Sequence, residues 1–228
     1  MTRISEPQDV KCCICNANNK VRFVYSTSIF SGPDLDTRPG FMARHNIIYE
    51  VFSCKCCGYC NMDLDREIPG AKKVIQSSEY QKQLKKRRNP EKANEFSCLA
   101  MIYESRGDIV QAGWQYLKAA WICDDNKKMK QASGCRNLAL EKFQDALKNN
   151  KSVMKTRGEE RLLFADIHRR TGKFNLAEKI CIMAQRKRLN QNIRRFLNYE
   201  FYLCRIKDGT CHNVEDGMDY DIGKEENQ

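Results

Sequence analysis

The sequence predicts an α+β chain, mainly α, in which a small cysteine-rich β domain precedes a helical-repeat domain. Three observations carry this: two Cys-x-x-Cys pairs near the start, alternating apolar residues beside them, and helical spacing after Ile68-Pro69-Gly70 that repeats at an interval of 65 residues. The domains expected are 1–68 (β, metal-binding), 69–208 (helical) and 209–228 (an acidic, disordered tail).

Val21, Phe23 and Tyr25 alternate with polar residues, as do Ile47, Tyr49 and Val51, so two antiparallel strands are expected over 20–28 and 46–53. Ser31-Gly32-Pro33-Asp34 and Arg38-Pro39-Gly40 supply turn chemistry between them, which predicts a surface loop over 30–44. The strand pair would bring together the turns that carry Cys12, Cys15, Cys54 and Cys57. Four thiolates at about 2.3 Å complete a tetrahedral zinc shell, so these residues are the expected ligands of one structural zinc ion and the domain is a zinc ribbon. Gly58 and Asn16 follow the second cysteine of each pair, where a metal knuckle favours a residue tolerant of positive φ. Lys11 and Lys55 adjoin the ligands and would offset the net charge of the centre. Cys13, Cys56 and Cys60 lie near enough to substitute, and Cys57-x-x-Cys60 is a rival second pair. The remaining pattern cysteines, Cys98, Cys123, Cys135, Cys181 and Cys204, fall within helical stretches and are expected to be buried thiols without a role.

About seven helices are expected beyond residue 68. Asn89-Pro90-Glu91 reads as a helix start with Asn89 as N-cap, Thr156 with Glu159 as a capping box, and Gly107 and Gly172 as helix ends. Shifted by 65 residues, Leu99, Ala100, Ile102, Gly107, Ala112 and Ala119 lie over Phe164, Ala165, Ile167, Gly172, Ala177 and Ala184. Small residues let paired helices approach and bulky ones fill the gaps; Phe96, Leu99, Ala100, Tyr103, Ala112, Tyr116 and Ala119 stand at the intervals of a tetratricopeptide repeat. The second copy has Arg161 and His168 where aromatic residues are usual. Between the copies, around Cys135 to Leu147, either a worn third unit or one long helix fits the spacing.

Four segments resemble an uncharacterised prokaryotic family, a domain of unknown function. They are Cys12-x-x-Cys15, Ile47-Ile48-Tyr49-Glu50-Val51, Cys54-x-x-Cys57-Gly58-Tyr59 and Leu163 followed by His168-Arg169-Arg170-Thr171-Gly172. The resemblance spans most of residues 10–187 and implies a four-cysteine zinc ribbon joined to tetratricopeptide-like helices. The chain departs from the pattern at Cys60, where a small residue is usual, and at His45-Asn46, where Asn-Pro is common. The family brings no activity to transfer.

Charge narrows the function classes. Residues 1–67 balance eight basic against eight acidic side chains, residues 68–208 carry 31 against 15, and the last twenty hold one Lys against six acids. From an odd count of 13 cysteines, a first segment that is not apolar and no membrane-length apolar run, a protein of the reducing cytoplasm, away from membranes, is expected. Enzymatic activity is not expected: a four-thiolate centre offers no open position, and none of His45, His168 and His212 has a partner at close sequence spacing. Asp34 and Asp36 sit in a Gly-Pro loop, where turn hydrogen bonds are their usual role. The expected function is a non-enzymatic adaptor or scaffold whose helical repeats bind a protein or peptide, with self-association as a further means of covering exposed repeat ends. The alternative is nucleic-acid binding by the basic helices, through Lys85, Lys86, Arg87 and Arg88, Arg186, Lys187 and Arg188, Arg194 and Arg195, and Arg169-Arg170.

Overall fold

A computed structural model describes residues 1–220 of the chain. It is mainly helical, with three small antiparallel sheets near the N-terminus, in agreement with the α+β, mainly α class. No helix among the described residues is long and apolar enough to cross a membrane. Two compact units emerge, one of Met1–Ser28 with His45–Lys151 and one of Ile29–Arg44 with Ser152–Gln228, a division different from a single cut near residue 68.

In the first unit, β1 (Thr2–Ile4) pairs with β4 (Val24–Thr27), β2 (Gln8–Lys11) with β3 (Asn18–Val21), and β5 (Phe52–Ser53) with β6 (Cys60–Asn61). The expected pairing of 20–28 with 46–53 does not form. Residues Ala43–Tyr49 wind into a 3₁₀ helix, with Ile47 buried, Ile48 exposed, and the Ile47 carbonyl accepting from the Glu50 N–H. An alternation of three apolar residues fits either period, and here local i to i+3 bonding wins.

Nine α-helices follow among the described residues, rather than about seven, because α1 (Ala71–Ile75), α2 (Ser78–Leu84) and α9 (Val214–Asp219) are too short to show a period. The long helices of the first unit are α3 (Glu91–Ser105), α4 (Ile109–Asp125) and α5 (Met129–Lys148). The last is the single long helix that the spacing allowed in place of a third repeat. Helix α3 begins at Glu91 with Pro90 as its N-cap residue, one position later than expected. It is buried on almost every side, from Ala93 through Ala100. The tight approach of α4 to α5 depends on Gly113: a Cβ there would stand 2.5 Å from the Phe143 ring, which packs edge-on against Trp114.

The second unit holds α6 (Arg157–Arg170), α7 (Phe174–Gln185), α8 (Gln191–Arg205) and α9. Thr156 and Glu159 form the capping box reciprocally, at 3.2 and 2.9 Å. The turns at the expected helix ends are equivalent: Gly107 (φ 78°) and Gly172 (φ 76°) are left-handed, and Asp108 N–H donates to the Tyr103 carbonyl as Lys173 N–H does to that of His168. Tyr103, Gly107 and Asp108 each lie 65 positions before their counterparts His168, Gly172 and Lys173.

Two expectations fail in this unit. Residues 30–44 are not a surface loop throughout: Asp34, Leu35, Asp36 and Arg38 are all buried. Leu35 enters an apolar cluster with Leu162, Phe196 and Tyr199, and the chain pairs with the C-terminal segment through Leu35 N–H to the His212 carbonyl and Val214 N–H to that of Pro33. The acidic tail is also ordered in its described part, since Asn213 and Asp216 cap α9 reciprocally and the Tyr220 ring stacks at 5.2 Å on Tyr202. Residues 221–228 lie outside the described residues. In the 30–44 segment charge pairing permits burial, with Asp34 on Arg44 at 2.5 Å and Asp36 on Arg170 at 3.3 Å.

Arg169 anchors the second unit. Fully buried, it donates from Nε and Nη2 to both Glu200 carboxylate oxygens (2.7 and 3.3 Å), from Nη2 to Asp166 Oδ1 (2.8 Å), and from Nη1 to the Asp208 and Thr210 carbonyls (2.8 Å each). All five of its N–H donors are thereby used. Burial raises the Glu200 carboxyl above its ordinary value against the pull of Arg169, so the charge on Glu200 depends on Arg169 staying in place. Arg169→Met is expected to cost about 3–5 kcal/mol in urea unfolding, and Arg169→Lys to recover little, because one ammonium cannot reach α8 and the 208–210 turn together.

Asp208 supplies a pH-dependent contribution. Partial burial would raise its carboxyl, but the Thr210 hydroxyl and N–H, with His212, hold it down at about 2. A depressed carboxyl adds stability above its unfolded value of about 4 and loses that contribution as pH falls toward 2. The stability gap between wild type and Asp208→Asn is therefore expected to be open near neutrality and to close across that acidic interval, as followed by thermal melts.

Candidate metal centre

Each Cys-x-x-Cys turn is built by its own hairpin. In the first, β2 and β3 frame the turn, Asn16 N–H donates to the Cys12 carbonyl at 2.8 Å, and Asn16 takes φ 60°. In the second, β5 and β6 do the same, with Gly58 N–H on the Cys54 carbonyl at 2.9 Å and φ 77°. A positive φ at the residue after the second cysteine turns successive amides inward toward the sulfurs, which is why asparagine and glycine stand there.

The two turns face each other. The Sγ atoms of Cys12 and Cys57 are 3.7 Å apart, those of Cys15 and Cys54 are 3.6 Å apart, and all four lie within 4.8 Å of one another. A tetrahedron with metal–sulfur bonds of about 2.3 Å has edges of about 3.8 Å, so this set fits a single metal ion. No other group of this kind occurs among the described residues.

The Cys54 thiol lies below its ordinary value. Burial would raise its thiol, but the backbone N–H groups of Cys57 and Cys56 and the Asn19 amide bring it down to about 6. Burial dominates at Cys12 and Cys57, whose thiols lie above their ordinary value. Asn19 is a supporting residue that sequence reasoning missed. Its Nδ2 reaches Cys54 Sγ at 3.6 Å while its Oδ1 accepts from the Lys55 N–H, joining the hairpins. A polar residue in a short strand gives no signal of such a role.

The near-miss cysteines separate from the site. Cys60 is fully buried on β6, its backbone N–H donating to the Tyr80 hydroxyl at 3.2 Å, with Cys98 beside it. Cys56 is exposed, and burial pushes the Cys13 thiol up to about 11. Tyr80 in turn donates to the Gly58 carbonyl at 2.9 Å, and the buried Tyr59 hydroxyl donates to the Arg66 carbonyl, so the second turn is fastened from two sides. The Lys55 Nζ pairs with the Glu91 carboxylate at 3.3 Å.

The other candidate residues are dispersed. Lys85, Lys86, Arg87 and Arg88 are exposed at the end of α2 in the first unit. Arg186, Lys187, Arg188, Arg194 and Arg195 are exposed around the α7–α8 connection of the second. Arg169 and Arg170 are not phosphate contacts, because their side chains, 0% and 4% exposed, are committed to Glu200, Asp166 and Asp36. His168 is buried with an unpartnered Nδ1, and burial holds it below its ordinary value, so it packs as a neutral ring where the repeat usually has an aromatic. His45 is exposed. His212 meets the Tyr199 hydroxyl and the Asp208 carboxylate, both at 2.9 Å.

The geometry sets a test of register. Purified protein is expected to carry one metal ion per chain by elemental analysis and native mass spectrometry, with Cys57→Ser losing it and Cys60→Ser keeping it.

No curated protein and no solved structure matches the chain. The family model described as "Uncharacterized protein conserved in bacteria (DUF2225)" matches residues 6–197, a span that takes in both cysteine turns and helices α1 to α7, and the chain belongs to that family.

Proposed function

We propose that the protein is a non-enzymatic interaction module of the cytoplasm, folded in part by one structural zinc ion, whose tetratricopeptide-like helices bind a protein or peptide. Zinc is favoured by four soft thiolates at tetrahedral spacing, a ligand set that leaves no position open for substrate. The observation that carries polypeptide binding is on α7. Leu176 and Met183 lie two turns apart on one face with half-buried Ile180 between them, and are 46% and 64% exposed. An apolar stripe left in solvent on a repeat helix is a surface for a second chain.

A second reading rests on a specific arrangement in the same unit. Arg157, Arg161, Lys187 and Arg188 line one cavity of about 410 Å³, with no carboxylate among its lining residues. That charge suits the phosphate backbone of a nucleic acid.

Salt dependence separates the two. Peptides selected from a display library on the metal-loaded chain are expected to bind at low-micromolar affinity, to change little between about 50 and 200 mM salt, and to lose binding with Leu176→Glu or Met183→Glu. Single-stranded DNA or RNA binding that falls steeply over the same salt range, is abolished by Lys187→Glu with Arg188→Glu and is unaffected by the α7 variants would move the conclusion to nucleic acid.

A further inference from the structure

In the first unit, the connection after α2, the middle of α3 and the start of α5 enclose a cavity of about 280 Å³. That is near the lower end of the range for small-ligand sites, about 300–1,000 Å³. Three exposed cations line it, Lys86 and Arg88 from the connection and Lys130 from the first turn of α5. None of the three is in an ion pair among the described residues, and no carboxylate lines the cavity. Three like charges gathered at one concavity repel one another, and an anion relieves that repulsion.

The rest of the wall is suited to an organic group. Leu138, 39% exposed, and buried Cys135 give an apolar side. Gln83 donates its amide N–H to Asn94 Oδ1 at 3.1 Å, which leaves its carbonyl oxygen to accept from a ligand hydroxyl or amine. The Oγ of Ser97, a residue 3% exposed, donates to the Ala93 carbonyl and keeps its lone pairs as acceptors. The local field reaches the wall: the Cys135 thiol lies below its ordinary value, chiefly through a hydrogen bond from Cys123 and further through Lys86.

We propose that this cavity binds a small organic phosphate monoester, with Lys86, Arg88 and Lys130 holding the phosphate and the organic part seated against Leu138 and the Gln83 amide. A doubly charged phosphate matches three cations better than a single carboxylate does, which would leave two of them uncompensated. The small volume limits the organic part to the scale of a sugar or nucleoside.

Gly134 makes the site testable without disturbing the fold. It lines the cavity from within α5, and a Cβ added there meets nothing within 4 Å, so a longer side chain enters open space. Isothermal titration of the metal-loaded full chain with AMP and with ribose 5-phosphate, at about 0.15 M salt, should show at least one ester binding about tenfold or more tightly than both adenosine and inorganic phosphate. Lys130→Glu and Gly134→Met should each weaken that binding about tenfold or more, with melting temperatures close to wild type. The proposal is overturned if neither ester binds, if inorganic phosphate binds as tightly as the esters, or if both variants bind like wild type.

Discussion

The first unit depends on bringing four sulfur atoms from two distant turns to one point. Each sheet is two strands of two to four residues, too little to hold by hydrogen bonding alone. A metal ion held by the four thiolates would supply the missing cohesion, because its binding free energy is folding free energy when the site does not exist in the unfolded chain. The requirement propagates outward. It fixes positive φ at Asn16 and Gly58, and Tyr59, Tyr80 and Asn19 then tie the turns to the 61–68 segment, to α2 and to each other. The Ser53 hydroxyl reaches buried Glu95 at 2.7 Å, and Lys92 bridges Glu95 and the Val51 carbonyl, so α3 grows against the second turn.

The second unit meets a different constraint, a buried guanidinium. Arg169 joins α6 to α8 through Glu200 and to the chain beyond α8 through two carbonyls. With the 208–210 turn held there, residues 211–214 are in position to pair with Leu35 and Pro33. Buried ion pairs contribute little net stability relative to a well-packed apolar core, but removing one partner is costly, so they act mainly on which arrangement is adopted. Asp36 with Arg170 and Asp34 with Arg44 extend the same logic to the 29–44 segment.

Legibility in the sequence followed how local each determinant is. The cysteine register was readable because Gly58 and Asn16 report backbone geometry within a single turn, and the hairpin ends at Gly107 and Gly172 for the same reason. The strand expected over 46–53 was not, since Ile47, Tyr49 and Val51 sample too few residues to separate a period of two from a 3₁₀ turn. Segment 30–44 reads as solvated because Asp, Gly and Pro recur in it; its burial depends on Arg44, Arg170 and the carbonyl of His212, which composition cannot place nearby, and the acidic tail gains order from the Asn213–Asp216 cap rather than from burial. Arg169 looked like part of a basic surface for the same reason.

By itself the sequence determined the elements whose cause is local: the two cysteine turns, the capping box at Thr156, the glycine-ended helices and the 65-residue recurrence. Each rests on φ preference, cap chemistry or side-chain spacing within a few residues. The tertiary structure alone decided where charge is buried and which segments belong together. Asp36 and Arg170 are separated by more than a hundred residues, as are Asp34 and Cys211, whose Sγ lies 2.9 Å from the Asp34 carboxylate. Pairings across such distances arise from the packed arrangement of helices, in which a polar group loses water and takes whatever partner the fold has brought within reach.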